Sequence, residues 1–364
     1  MTNMSGFRRV DQGAEFHRLL SRVVGYAPDA VFAEARSALA EGRLADTARA
    51  ICRVASAAGL RPTDAEIALL VTAAPEASAE LLDIQPGEWP LPSIEFFPTH
   101  PEEDEVFAPE PAPPILDLTD APDAFVESVT DDIDEGAVAA VDGIPGAVAL
   151  WRAWRAGGYG GSTDLFARVF VLATDLPEDE LPVATALLQE KLILADADET
   201  LVEAFILGQE LAPYQQQALE GGALLWTAAE PRRVTIARVF DGADPETGPW
   251  FAPDHPRLEG PIRDQAIAYL SVGQLVLAIT QRTADIVTGS DEPVVPMSYR
   301  TDGQWVWTDA VVYYLQTHAV APDQDLLDHM RSVSFSPPQT DEIGTHRALA
   351  ALFRPSAVLP ATVG

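Results

Sequence analysis

Cysteine is almost absent from this chain of 364 residues: Cys52 stands alone, which excludes an intramolecular disulfide and a cysteine-rich metal site. It falls in ARAICRVASAAG, a helical pattern in which a small buried thiol is the expected role. Lysine is equally scarce, with Lys191 single among 23 basic residues. Long apolar runs are missing too. None approaches the ~20 residues that span a bilayer. The opening MTNMSGFRRVDQGAEF has two arginines but neither the apolar segment nor the small-residue cleavage site of a secretory signal. A cytoplasmic protein is the expectation.

The patterns of common catalytic machinery are absent as well. The six histidines (His17, His100, His255, His318, His329 and His346) are scattered, with no HExxH or paired-histidine spacing to hold a metal. No G-x-S-x-G elbow presents a nucleophilic serine. GGYGGS has neither the P-loop nor the dinucleotide spacing, and SVTDDIDEGAV orders its acids wrongly for a calcium loop. No metal and no cofactor are expected.

Acid, by contrast, is abundant. The formal charge is −33, and it is uneven: residues 62–151 hold 21 acidic residues and no lysine or arginine. The remainder carries 35 acidic and 23 basic residues, a net of −12. A salt-adapted surface would spread its charge; a local excess points to a distinct acidic segment. Such a field opposes nucleic acid and anionic membranes.

Read along the chain, the fold class is α+β: an N-terminal helical bundle, an acidic Pro-rich linker and a C-terminal α/β region with mixed sheets. Residues 10–84 read as short helices. One follows Pro28-Asp29 and stops at Gly42, the next closes at Gly59, and Thr63-Asp64-Ala65-Glu66 is a capping box. Residues 85–136 combine proline with acid, the composition of a linker. Their aromatics Trp89, Phe96, Phe97 and Phe107 are candidate anchors for a basic partner's groove. Residues 137–230 read as a small α/β unit. In it GIPGAVALWRAWRAGG is expected to be helical, ARVFVLATD, TLVEAFIL and GALLWTA to be strands, and LPVATALLQEKLILA a helix. Residues 231–332 form a C-terminal α/β unit, and 333–364 a Pro-rich tail with one helix in GTHRALAALF.

The best-specified stretch is Val294–His318. Asp302-Gly303 reads as a two-residue type I′ turn, which sets Arg300 opposite Trp305 and Ser298 opposite Trp307. Arg300, Trp305 and Trp307 then share a face, with Arg300 over the Trp305 ring. Thr308 is placed to N-cap the helix that follows. The shared face is a candidate binding patch, although core burial is the expected fate of both tryptophans. For acid–base chemistry the candidates are Asp254 and His255 in the long proline-rich loop, with Arg263 downstream and Arg300 from the hairpin.

The segments TGPWFAPDHPRLEG through MSYRTDGQWVWTDAVVYYLQTHAVAPDQDLLDHMR, with GYAPDAVFAEARSALAEGRLADTARA near the start, resemble a group of uncharacterised proteins of high-GC actinobacteria. That resemblance implies a bacterial, cytoplasmic setting and brings no activity. The functional expectation is a noncatalytic acidic protein-interaction module, an adaptor or immunity-like protein for a basic protein partner. The alternatives are a hydrolase or transferase at the Asp254–Asp264 loop, or a structural component of a larger assembly.

Overall fold

A computed structural model describes residues 4–101, 113–157, 166–194 and 200–354, with side chains from residue 12 onward. Phe107, most of GGYGGS and the last ten residues lie outside the described residues. The chain is an α+β protein of two compact units, residues 1–231 with 355–364, and residues 232–354.

In the first unit, α1 (Met4–Val23), α2 (Asp29–Ala40), α3 (Leu44–Ala58) and α4 (Asp64–Ala73) follow one another through short turns. Gly59 ends α3 in the left-handed region at φ +67°, where a side chain would be strained. The capping box of α4 is formed: Thr63 Oγ1 accepts from Glu66 N at 3.3 Å, and Glu66 Oε2 accepts from Thr63 N at 2.7 Å.

These helices are not a separate module. They pack on a six-stranded mixed sheet that includes β3 (Ala147–Gly157), β4 (Phe166–Thr174), β5 (Leu201–Ile206) and β6 (Ala223–Thr227). β4 and β5 run parallel across α7 (Leu181–Leu194), whereas β3 is antiparallel to both β4 and β6. α8 (Pro213–Glu220) joins β5 to β6. Leu150, Phe170, Leu172 and Val202 pack on one face of the sheet against α7 and α6 (Asp132–Val141). Trp151, Val169, Val171 and Phe205 alternate with them onto the other face. β5 ends the sheet, and its outer edge is satisfied by a side chain. Gln189 donates to Thr200 O at 2.6 Å and accepts from Val202 N at 3.0 Å, as a neighbouring strand would.

Two expectations are corrected here. The stretch 147–157 is the central strand and not a helix. Its tryptophan and arginine pairs, spaced three apart, fit a helix, but residues 149–153 are all buried, as a strand covered on both faces requires. Nor are the described parts of 85–136 a free linker. β1 (Ile94–Phe97) pairs with β3, β2 (Leu116–Asp117) pairs with β6, and α5 (Asp123–Val129) packs beside them. Proline frames these short pieces without preventing edge pairing.

The second unit is built on a four-stranded sheet. Its order is β10 (Gln274–Leu277), β13 (Tyr299–Thr301), β14 (Trp305–Thr308) and β7 (Thr235–Ile236). α9 (Gly260–Val272), α10 (Asp309–His318) and α11 (Gln324–Ser332) share one core with Trp307. The long polar loop contains a small hairpin, β8 (Gly242–Asp244) with β9 (Gly248–Trp250), and β11 (Arg282–Asp285) pairs with β12 (Ser290–Pro296). α12 (Glu342–Phe353) packs on β10 and β7, so this part of the tail belongs to the unit's core.

The hairpin forms with its register moved. Tyr299 faces Thr308, Arg300 faces Trp307 and Thr301 faces Val306. The loop is therefore Gly303-Gln304, glycine first, with Gly303 at φ +88°. Asp302 stands just before that loop, and its Oδ1 accepts from Gln304 N at 2.9 Å and Trp305 N at 2.8 Å, which closes the turn over Gly303-Gln304. Because the shift preserves parity, Arg300, Trp305 and Trp307 stay on one face. Thr308 occupies the N-cap position of α10, yet its hydroxyl makes no cap bond.

Candidate functional site

The second unit scatters the residues expected to do chemistry. Asp254 is exposed in a turn. His255 Nδ1 bonds Asp241 Oδ2 at 2.8 Å and Nε2 bonds the Ala321 carbonyl at 3.0 Å. Both ring nitrogens are thus turned to protein oxygens, and the ring ties the long loop to the chain that follows α10. Arg263 donates to the carbonyls of Leu315 and Gln316, closing the C-terminal end of α10, where a cation is favoured by the helix dipole. Arg300 donates to Asp309 at 2.7 Å and to the Gly273 carbonyl at 3.0 Å. It neither lies over Trp305 nor bonds the Asp254-His255 loop. Trp307 is fully buried and donates to Leu270 O at 3.1 Å, which removes it from any recognition patch. Trp305 is half-buried beside His329, with ring centroids 6.2 Å apart.

Two further His–Asp pairs escaped the sequence. His318 bonds Asp285 at 2.7 Å, and His329 bonds Asp302 at 2.7 Å, with Tyr269 donating to the same carboxylate. Neither pair is a local motif: the members are 33 and 27 residues apart. Each aspartate also accepts main-chain N–H groups, so its first role is to tie a turn to a helix. Among the described residues no group of three or more metal-ligating side chains is found.

The first unit gathers its polar groups more tightly. Arg36 on α2 reaches Glu203 on β5 through Nε at 2.8 Å and through Nη2, both side chains being essentially inaccessible. Gln215 donates to the same carboxylate at 3.1 Å. Burial pushes the Glu203 carboxyl above its ordinary range, against the pull of Arg36. His17 donates from Nε2 to the Ala204 carbonyl and accepts from Arg36 on Nδ1, which fixes its neutral form. Burial, with Arg36 beside it, lowers its pKa to about 3. Arg152, Arg155 and Arg168 are likewise buried on aspartates: Asp134, Asp29 and the Asp131–Asp134 pair. Every one of these clusters joins separate elements, and Glu203 with Arg36 joins the sheet to the N-terminal helices.

A cleft of about 540 Å³ opens beside this polar core. Its walls are the end of α1, the turn before α4, the extended stretch Pro86–Pro92 and the start of α8. Trp89 is its centrepiece. Its Nε1 donates to the Arg61 carbonyl at 3.0 Å, the Arg22 guanidinium lies 4.3 Å from its ring centroid, and Tyr26 meets it edge-on. Tyr214 forms part of the lining and is supported from behind by Phe96, ring centroids 5.1 Å apart. Phe97 lies in β1 opposite Trp154. The three aromatics expected to project as anchors are thus folded onto their own unit. The signal that could have placed Trp89 was the proline frame of PGEWPLP, which fixes an extended path without backbone donors.

Charge follows the same division. The first unit holds 40 acidic and 13 basic residues, a net of −27; the second holds 16 and 10, a net of −6. In the described residues no helix is long and apolar enough to cross a membrane. Comparison with known protein families, with curated proteins and with solved structures gave no match.

Proposed function

We propose that the chain is a noncatalytic acidic interaction protein whose first unit docks a basic protein partner. One observation carries this reading. Nine arginines of that unit (Arg18, Arg22, Arg36, Arg43, Arg49, Arg61, Arg152, Arg155 and Arg168) are engaged in ion pairs within it. Acids without such partners remain on the surface, among them Asp123, Glu127, Asp132 and Glu135 on and beside α5 and α6. Four of these cations, Arg36, Arg152, Arg155 and Arg168, are buried and the others are neutralised by acids at the surface, so the excess acid sets the field outside, which speeds encounter with a positive surface and repels a negative one.

Deleting residues 86–136 would remove β1 and β2 from the sheet, so charge neutralisation is the sound probe. The intact chain is used to capture partners from native lysate, beside a variant carrying Asp123→Asn, Glu127→Gln, Asp132→Asn and Glu135→Gln. The expected partner is basic, is released as salt rises through a few tenths molar, and is held more weakly by the variant. Capture of acidic or neutral proteins, insensitive to salt and to the four substitutions, refutes the reading.

A further inference from the structure

We propose that the Trp89 cleft receives an extended segment of the partner that is both basic and proline-bearing. This rests on the reading of the first unit as a docking module. The wall material comes first: half-buried Trp89 and Pro92 and exposed Pro86 and Leu91 stand over a floor of buried Tyr26, Pro62 and Tyr214. Apolar side chains and pyrrolidine rings accept the ridges of a polyproline II helix, which has no internal hydrogen bonds and is already extended before it binds. Little ordering entropy is then lost on docking.

The polar groups of the cleft argue the same way. Trp89 Nε1 is spent on the Arg61 carbonyl and the Tyr26 hydroxyl on the Pro90 carbonyl. Arg22 is paired with Glu66, and Arg61 with Asp64 and three main-chain carbonyls. A small polar ligand needs convergent unpaired donors to orient it, and these side chains are already committed. The Gln217 side chain, which also lines the cleft, makes no hydrogen bond among the described residues and suits a peptide carbonyl. Charge selects the sign of the segment. Of the charged residues that line the cleft, Arg22 and Arg61 are neutralised by Glu66 and Asp64, and Glu88 is exposed with no ion pair among the described residues, so the balance at its mouth is acidic.

The test is fluorescence anisotropy on the intact chain with a labelled peptide of about ten residues alternating proline and arginine. Control peptides of equal length replace every proline by alanine or every arginine by glutamine. The Pro/Arg peptide is expected to bind, and both controls to bind about tenfold more weakly or worse. Leu91 lines the cleft and is 68% exposed, so Leu91→Arg places a repelling charge there without disturbing the core. It should weaken the Pro/Arg peptide by about tenfold with an unchanged thermal melt. Equal binding of the alanine peptide, or undiminished binding by Leu91→Arg, overturns the cleft assignment while leaving a basic partner elsewhere on the unit. Equal binding of the glutamine peptide overturns the requirement for positive charge. Failure of every basic peptide to bind overturns the cleft assignment, while the reading on which it rests is decided separately by the salt-dependent capture of a basic partner.

Discussion

Replacing Arg36 by methionine isolates what holds the N-terminal helices to the sheet. Methionine keeps much of the aliphatic length and removes the guanidinium, so Glu203 loses two hydrogen bonds and keeps one from Gln215. Glu203 is fully buried. Removing one member of such a pair costs about 3–5 kcal/mol, chiefly from the charge left behind. For a unit of this size each kcal/mol shifts the melting temperature by about 2–4 °C, so a fall of about 6–20 °C is expected. The pH dependence is the sharper signature. The Glu203 carboxyl already titrates above its ordinary value through burial, and loss of Arg36 raises it further. A native state that holds a proton the unfolded chain has released loses stability as pH rises. The variant should therefore be closer to wild type near pH 5 than near pH 8. Urea unfolding of the intact chain at both values measures the loss, and peptide-resolved hydrogen exchange locates it on β4 and β5. Arg36→Met with Glu203→Gln should recover part of the loss, because no charge remains buried. A cost below about 1 kcal/mol, or a larger cost at the lower pH, refutes the account.

His17 should stay neutral down to about pH 3 with its proton on Nε2, a state read directly from imidazole nitrogen shifts. Because its folded pKa lies below the ordinary 6.5, its contribution to stability is complete above that value and is lost as pH falls toward 3. Asp302→Ala removes the acceptor for Gln304 N, Trp305 N, Tyr269 and His329; a loss of about 3–5 kcal/mol is expected in urea unfolding, with faster exchange confined to the hairpin and α9. Arg300→Ala, at a pair that is about a quarter exposed, should cost only about 1 kcal/mol and leave the His255 nitrogen shifts unmoved. Movement of those shifts would place Arg300 in contact with the Asp254-His255 loop after all.

Most helices were legible because their signals are local. The Thr63–Glu66 box and the glycines after α2 and α3 each act within four residues. β4, β5 and β6 were legible as short apolar runs. What the sequence concealed depends on distant partners. β3 carries arginines that look solvent-facing until Asp134 and Asp29 are brought to them from 18 and 126 residues away. The proline-rich stretch looks unstructured until β3 and β6 supply its hairpinless pairing. At the hairpin the Asp-Gly dipeptide named the turn but not its centre, because the buried Tyr269 and His329 decide where Asp302 sits. The Trp89 cleft was visible only in part: the tryptophan was singled out, while its direction, inward rather than outward, needed Arg22 and Arg61.

The long reach of the first unit's sheet has a consequence for the order of synthesis. Arg36 emerges 167 residues ahead of Glu203, an interval on the order of ten seconds at ordinary elongation rates. β2 must wait still later, since β6 is its only partner strand among the described residues. Through that interval the early helices have no sheet edge to cover, and β3 has its antiparallel neighbour β4 before its flanks are closed. Completion of the unit is thus set by the arrival of residues 201–227 and not by the helices that precede them. Stalled or shortened nascent chains ending before β5 should be caught by chaperones, whereas chains extended past β6 should escape them.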